Sequence, residues 1–313
     1  MLMADNQRHR VISISSILRL IRPRQWTKNI FVFAALVFSQ HLLDPEFALV
    51  SLRAFFAFSF TASFIYVIND IADRDRDRMH PKKRLRPIAS GEISTRAGYI
   101  IAFVLLLCAA ILVSGLNWKF ITCLAFYLLM NVAYSFYLKD LVLIDVFVIA
   151  IGFMLRVIGG ALVIDVASSS WLILTTMFLS LFLAIAKRRG ELVALGAGTH
   201  SLPNTSEDAS QHTRKVLEHY SVGFVEQMTT ICAAGFIFSY ALYTVSERTV
   251  KMFGTENLIF TTPFVLYGIF RYLYLLHKKH LGENPTDVVL SDIPMIANFI
   301  AYAIAMLAII YLK

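Results

Sequence analysis

Nine apolar stretches of near-spanning length, at about 27–43, 48–68, 98–116, 118–138, 141–164, 170–187, 221–245, 257–277 and 293–312, leave this 313-residue chain few folds to choose from. Each is close to the roughly 20 residues that carry a helix across a bilayer, and the first is the weakest. With 58% hydrophobic residues, a mean hydropathy of +0.65 and only 16% charged, the chain reads as an all-α integral membrane protein of about nine transmembrane helices. No linker-like segment divides it, so one polytopic domain over 1–313 is expected, with long polar loops at about 69–97 and 188–220.

Basic residues fall unevenly between the two sides that these stretches define. Most of the 29 Lys and Arg crowd the N-terminal segment, the two long loops and the turns at Lys139 and at Lys278 and Lys279. The opposite side keeps only Arg53, Lys119, Arg248, Lys251 and Lys313. The positive-inside rule therefore places the N-terminus, both long loops and any site they carry on the cytoplasmic face of a plasma (inner) membrane. Topology and anionic-lipid contact account for the net charge of +8, and nucleic acid is not a partner. The N-terminal segment has no cleavable signal, and Val11, Ile14, Leu18 and Ile21 predict an amphipathic helix lying on the membrane surface. Cys108, Cys123 and Cys232 lie inside apolar stretches as small packers, and the eight histidines show no metal-ligand spacing.

The second stretch ends in Asn69-Asp70-Ile71-Ala72-Asp73-Arg74-Asp75-Arg76-Asp77. Carboxylates at a membrane boundary are costly, which points to chemistry. Asn69, Asp73 and Asp77 recur every four residues and Asp70 precedes Asp73 by three, so a helix stacks their oxygens on one face within reach of a hard divalent cation. Such a cation would hold a diphosphate. The loop continues as His80-Pro81-Lys82-Lys83-Arg84-Leu85-Arg86-Pro87-Ile88-Ala89-Ser90-Gly91, whose bases suit phosphate oxygens and whose prolines stiffen the backbone. A solvated basic loop obeying the positive-inside rule accounts equally for the bases taken alone.

These residues resemble the UbiA superfamily of intramembrane prenyltransferases, whose first signature, N-D-x-x-D-x-x-x-D, is matched by Asn69, Asp70, Asp73 and Asp77. The likeness extends to Arg22-Pro23-Arg24-Gln25-Trp26-Thr27-Lys28-Asn29, to Lys83 through Gly91 and to Tyr134-Ser135-Phe136-Tyr137-Leu138-Lys139. It implies a bundle of about nine helices with cytoplasmic cap loops and a Mg2+ held by Asn69, Asp73 and Asp77, with Asp70 as a further ligand or an acceptor behind them. Prenyl-transferring members usually carry a second aspartate-rich motif after the sixth helix. This chain has Lys187-Arg188-Arg189-Gly190-Glu191 there, which makes an anion site more natural than a second metal site.

That departure resembles the decaprenyl-phosphate phosphoribosyltransferase branch. The resemblance implies transfer of 5-phosphoribose from phosphoribosyl diphosphate (PRPP) to a polyprenyl phosphate, with release of diphosphate, in the synthesis of a cell-wall or other glycan precursor. Asp73 and Asp77, through the metal, would neutralise the leaving diphosphate. Lys187, Arg188 and Arg189 would take the donor's 5-phosphate, with Glu191 orienting one of them or meeting ribose hydroxyls. A basic helix end complementing the helix dipole explains the same three bases. Lys28, Lys83, Arg84, Arg86 and Lys139 are the remaining phosphate ligands, divided between donor and acceptor in a way the sequence leaves open.

Tyr134 fits both a hydroxyl in this cavity and an interfacial aromatic belt. Arg156 sits deep in the fifth stretch, with Asp145 eleven residues earlier on nearly the same helical face. Both are expected to line the bundle interior, touching substrate or bracing helices. Residues around Arg214 to Tyr220 fit a short cap helix, with Arg214 and Tyr220 as ligand contacts or as part of a solvated amphipathic helix. The partners implied are PRPP, a polyprenyl phosphate and the lipid bilayer, and a homo-oligomer is compatible with the sequence. An aromatic prenyltransferase of the quinone type is the alternative within the fold, and a membrane transporter is the alternative outside it.

Overall fold

The computed structural model describes residues 13–81, 83–167, 169–199, 215–278 and 291–312, all in helices, turns and connecting segments. Eight helices are long and apolar enough to cross a membrane. They are α3 (Pro45–Ala72), α5 (Thr95–Val113), α6 (Trp118–Phe136), α7 (Ile144–Val163), α8 (Ser170–Thr199), α9 (Val222–Val245), α11 (Thr262–Lys278, preceded by a 3-10 turn at Asn257–Thr261) and α12 (Ile293–Tyr311). Four shorter helices complete the set: α1 (Ile14–Ile21), α2 (Ala34–Phe38), α4 (Arg74–Met79) and α10 (Glu247–Phe253).

Chain starts are set by side chains that accept the orphan N–H groups of the first helical turn. Ser94 accepts from Ala97 at the start of α5, Ser221 from Phe224 at α9 and Asp292 from Met295 at α12. At the other end of α5, Arg53 of α3 donates to the carbonyls of Leu112 and Ser114, satisfying acceptors that have no partner within their own helix.

The stretch at 27–43, expected to be the first spanning helix, is not one. It forms a 3-10 run, Pro23–Phe33, followed by the five residues of α2. Its polar residues explain the difference. From Arg22 to Asn29 the chain runs antiparallel to α3, and two serines one turn apart on α3 take its polar groups. Trp26 Nε1 donates to Ser63 Oγ at 3.0 Å, and Asn29 Nδ2 donates to the buried Ser59 Oγ at 2.9 Å. Ser63 Oγ in turn donates to the Ile21 carbonyl at 2.7 Å. Residues three apart eclipse in a 3-10 run, so Trp26 and Asn29 both face this one neighbour.

Contacts divide the chain into two compact units. The first comprises residues up to Ile30 together with Leu52–Leu116. Its core joins Leu20 of α1, Val67 of α3, Ile88 and Ile93 of the loop, and Ala102 and Leu105 of α5. The amphipathic α1 is therefore docked by Leu20 on one side while Ile14 and Leu18 stay exposed on the other, as an interfacial helix requires. A polar tie accompanies it: Ser16 Oγ donates to Glu92 Oε2 at 2.5 Å, and Arg19 pairs with the same oxygen.

The second unit comprises Phe31–Ser51 and Asn117–Lys313. Its core is built by α7, α8, α9 and α11 through Val146, Phe182, Ile185, Val225, Phe236, Tyr272 and Leu275. Gly160 on α7 is where the chain at Val32 comes closest: a Cβ there would lie 1.9 Å from the Val32 carbonyl oxygen. Large apolar side chains such as Phe103, Ile111, Phe299 and Ile304 remain exposed along α5 and α12, as lipid-facing surfaces do.

Gly160→Ala is expected to cost at least the roughly 1–3 kcal/mol of an overpacked core, because the obstructing atom is backbone. Gly98→Ala meets only side-chain ends of Ile88 and Ile71, at 3.0 and 3.2 Å, and should cost less. Thermal unfolding in detergent orders the two, and an equal loss would refute the account of close approach. A second expectation concerns acid. The hydrogen bond from Ser16, reinforced by Arg19, holds the Glu92 carboxyl below its ordinary range. Glu92 thus supports α1 docking fully above the ordinary glutamate pKa and loses that support as pH falls through its lowered value. Hydrogen exchange in α1 should rise over that window and not in Glu92→Gln, which lacks the titration.

Candidate active site

In the first unit the acid motif straddles a helix break. α3 stops at Ala72 and α4 begins at Arg74, but the backbone hydrogen bonds from Asp73 N–H to the Asn69 carbonyl and from Asp77 N–H to the Asp73 carbonyl, both 2.8 Å, keep the helical phase across the junction. Phase then sorts the acids. Asp70 and Asp77, seven residues and nearly two turns apart, are each 2% exposed, whereas Asp73 and Asn69 are only partly buried. Asp70, expected as a further ligand or an acceptor behind the others, is thus one of the two acids at the centre.

Both buried carboxylates are held by arginine. Arg86 Nη1 donates to Asp77 Oδ2 at 2.6 Å and to Asp70 Oδ1 at 3.2 Å, so one guanidinium bridges the pair. Arg22 Nη2 donates to Asp70 Oδ1 at 2.6 Å. Arg22 is fixed twice over: it closes α1 in the left-handed region at φ 53°, and its guanidinium lies 5.1 Å from the Tyr66 ring centre. Asp73 faces Arg76 at 3.9 Å on the more open side. Lys83 and Arg84 stand in a 3-10 turn, Lys83–Leu85, partly buried and exposed respectively, and Lys28 is partly buried in the 3-10 run.

Among the described residues no group of three or more His, Cys, Asp or Glu side chains is placed as a ready cage for a metal ion. The residues present nonetheless fit magnesium. Asp70 Oδ2 is buried and has no hydrogen-bond partner, an oxygen turned from water without a compensating contact. Mg2+ is commonly bound by one or two carboxylates together with substrate phosphates, and hard carboxylate oxygens of this kind suit it.

In the second unit Arg188 is the organising residue. It is 1% exposed, donating through Nε to Asp145 Oδ2 at 2.8 Å and through Nη1 to Glu191 Oε2 at 2.7 Å. Asp145, at the start of α7, also accepts from the Tyr220 hydroxyl at 2.9 Å, and that hydroxyl accepts the Leu143 N–H at 2.7 Å. Burial foremost, with Asp145 adding to it, pushes the Tyr220 phenol up to about 12, so it stays a donor at any physiological pH. Tyr220 follows a 3-10 turn, Lys215–His219, and Leu217 anchors that turn in the core, in place of the expected cap helix; Arg214 lies outside the described residues.

The three consecutive bases do not share one site. Lys187 is partly exposed, 4.0 Å from Glu191, on the side where Arg188 meets that glutamate. Arg189 turns away, donating through Nε to Glu226 Oε1 at 3.0 Å and through Nη1 to the Leu276 carbonyl at 3.1 Å, and so braces α8 against α9 and α11. Successive helix positions differ by about 100°, which the linear sequence hides. Tyr134, late in α6, belongs to the electrostatic surroundings of Arg188, and Lys139 follows in a turn at Leu138–Asp140.

Arg156 and Asp145 are both buried in α7 as expected, but their contacts differ. Arg156 donates to the Gly152 carbonyl at 2.6 Å and to the Tyr127 hydroxyl at 2.7 Å, with the Tyr127 and Phe153 rings against its guanidinium. Arg22 is the residue at the acids that the sequence did not single out, whereas Asp145 was expected with Arg156 to touch substrate or brace helices. The nearest signal for Arg22 is its place at the head of the Arg22 to Asn29 motif.

The fold and site define a polytopic helical membrane protein with a carboxylate–arginine cluster at the exit of one long helix. The chain belongs to the UbiA prenyltransferase family, whose profile matches residues 29–286. Membership sets the transporter reading aside. The chain is similar to the decaprenyl-phosphate phosphoribosyltransferase of Mycolicibacterium smegmatis, 30% identical over 309 residues that cover 95% of this chain and 93% of that one. It is likewise similar to the protein of that name from Mycobacterium tuberculosis, 30% identical over 284 residues and 89% of each chain. Among solved structures, a UbiA homolog from Archaeoglobus fulgidus bound to GPP and Mg2+ superposes with a TM-score of 0.66, covering 94% of this chain and 99% of that one. Its 18% identity speaks for the fold alone.

Breaking one partner of a buried ion pair costs about 3–5 kcal/mol, because the other charge is stranded, while replacing both by apolar groups can cost far less. Asp145→Leu and Arg188→Met should therefore each lower the melting temperature in detergent more than the double variant does. Additive losses would show that the two side chains do not depend on each other.

Proposed function

We propose that this chain transfers 5-phosphoribose from PRPP to the phosphate of a polyprenyl carrier, releasing diphosphate; relatives of similar size are named decaprenyl-phosphate phosphoribosyltransferases. The observation that carries the choice within the family is Arg188. A second aspartate-rich metal site at the exit of α8 would need acids in place of Lys187, Arg188 and Arg189, and Arg188 is fixed there between Asp145 and Glu191 at 2.8 and 2.7 Å. The aromatic prenyltransferase alternative asks for acids where this chain places a buried guanidinium.

Asp70 and Asp77 would hold Mg2+, with Asn69 and Asp73 completing the motif. When bound, the ion supplies positive charge against the departing diphosphate. Arg22 and Arg86 are placed to share that task through charge-assisted hydrogen bonds to phosphate oxygens. The C1–O bond to diphosphate breaks with its electron pair leaving on the diphosphate, and an acceptor phosphate oxygen forms the new bond at C1 from the opposite face. The acceptor is anionic at neutral pH, so no strong general base is needed, and positioning with electrostatics carries the rate.

Lys187, exposed enough to meet a ligand, is assigned to the donor's 5-phosphate, with Lys139 and Tyr134 as further contacts. Arg188 is assigned to positioning Glu191 toward ribose hydroxyls. Lys28, Lys83 and Arg84 are assigned to phosphates of donor or acceptor. The distribution of bases supports a cytoplasmic site and N-terminus in the plasma membrane.

Purified protein in detergent, given Mg2+, polyprenyl phosphate and labelled PRPP, should move label into the lipid phase, with Asp77→Asn slower by at least about 100-fold, the loss of one charge-stabilising contact in a transition state. A folded protein that leaves PRPP untouched but joins a polyprenyl diphosphate to an aromatic acid would sink the reading in favour of its rival.

A further inference from the structure

We propose that Arg86 is an exchangeable counter-ion: it bridges Asp70 and Asp77, and an arriving divalent cation displaces it toward the diphosphate. The inference rests on the reading of Asp70 and Asp77 as metal ligands, and it concerns this chain's own residues.

Two arginines neutralise the buried acids, but they are held differently. Arg22 has a backbone cap, a ring under its guanidinium and Asp70. Among the described residues Arg86 has neither ring nor carbonyl, and its side-chain partners are the two carboxylates, at 2.6 and 3.2 Å through a single nitrogen, Nη1. Its side chain keeps 29% of its surface, so room to move is present on the solvent side. The remaining carboxylate oxygen, Asp70 Oδ2, is buried without a partner, so Arg86 completes the neutralisation of charge but not of hydrogen bonding.

A cation that binds both acids removes the reason for Arg86 to stay, because two positive charges at a few ångströms repel in a low-dielectric site. The guanidinium then has a new acceptor in the phosphate oxygens that arrive with the metal, and its planar fork suits them. One residue would serve in turn as a stand-in for the metal and as a ligand for the diphosphate. Metal and diphosphate would bind cooperatively, since each removes a cost of the other.

The test uses Mn2+ and inorganic pyrophosphate, without PRPP or lipid. In the wild-type protein, phenylglyoxal labelling of Arg86, read by mass spectrometry, should rise at least about threefold when Mn2+ is added and fall again when pyrophosphate follows, while Arg22 labelling shows no rise with Mn2+. Mn2+ binding followed by electron paramagnetic resonance should tighten by about tenfold in Arg86→Gln, and pyrophosphate binding to the Mn2+-loaded protein should weaken by a similar factor; a tenfold change is about 1.4 kcal/mol. Arg86→Lys, which keeps the charge, should leave Mn2+ affinity near wild type. Mn2+ binding with Arg86 labelling unchanged overturns the exchange and leaves the metal assignment standing. No Mn2+ binding, with or without pyrophosphate, overturns both while leaving the transfer reaction to its own assay.

Discussion

A carboxylate withdrawn from water at a membrane boundary has to find a cation, and this chain answers with arginine each time. Asp70 and Asp77 meet Arg22 and Arg86, Asp145 meets Arg188, and Asp292 meets Arg271 in a two-pronged contact at 3.0 and 2.9 Å. Glu226, more open, meets Arg189. The acid of each pair stands at or near a helix end, where a mispaired charge would strand a group in low dielectric, so the pairs fix which helix turns face one another. Apolar packing along the helices is tolerant by comparison. Arginine suits the task because its fork satisfies two acceptors while staying charged when buried.

The same chemistry gives the candidate site its character. A carboxylate pair already balanced by guanidinium is neutral enough to survive burial, and its acids and arginines are the groups that the proposed function gives to a metal and to phosphate. In the second unit the balance is tighter. Arg188 is engaged on two sides and Tyr220 locks Asp145 from a third, so this network is built to hold shape, while its neighbour Lys187 stays partly exposed.

Much of this was legible from residues alone. The spacing of Asn69, Asp70, Asp73 and Asp77, the basic loop behind it and the bases in place of a second aspartate-rich motif after the sixth long stretch led to the transferase family and to a preference within it. Less legible were the residues that pair with the acids. Arg86 reads in sequence as one base among several, and Arg22 lies 48 residues from the aspartate it holds. The three bases from Lys187 to Arg189 look like one cluster because sequence neighbours are adjacent in print, while a helix sends them to different sides. The polar start of the 27–43 stretch carried its own warning in Trp26 and Asn29, but only Ser59 and Ser63 of α3 explain why it runs as a 3-10 segment.

By itself the sequence determined the membrane class, the long helices and the kind of chemistry at the exit of α3, because hydropathy and periodic spacing are local properties that survive in any fold. Tertiary structure decided which acids are central, which arginines neutralise them and which bases remain for a ligand. Those outcomes depend on burial and on contacts between distant residues, and a charge has no fixed role until the structure sets what surrounds it and how far water is away.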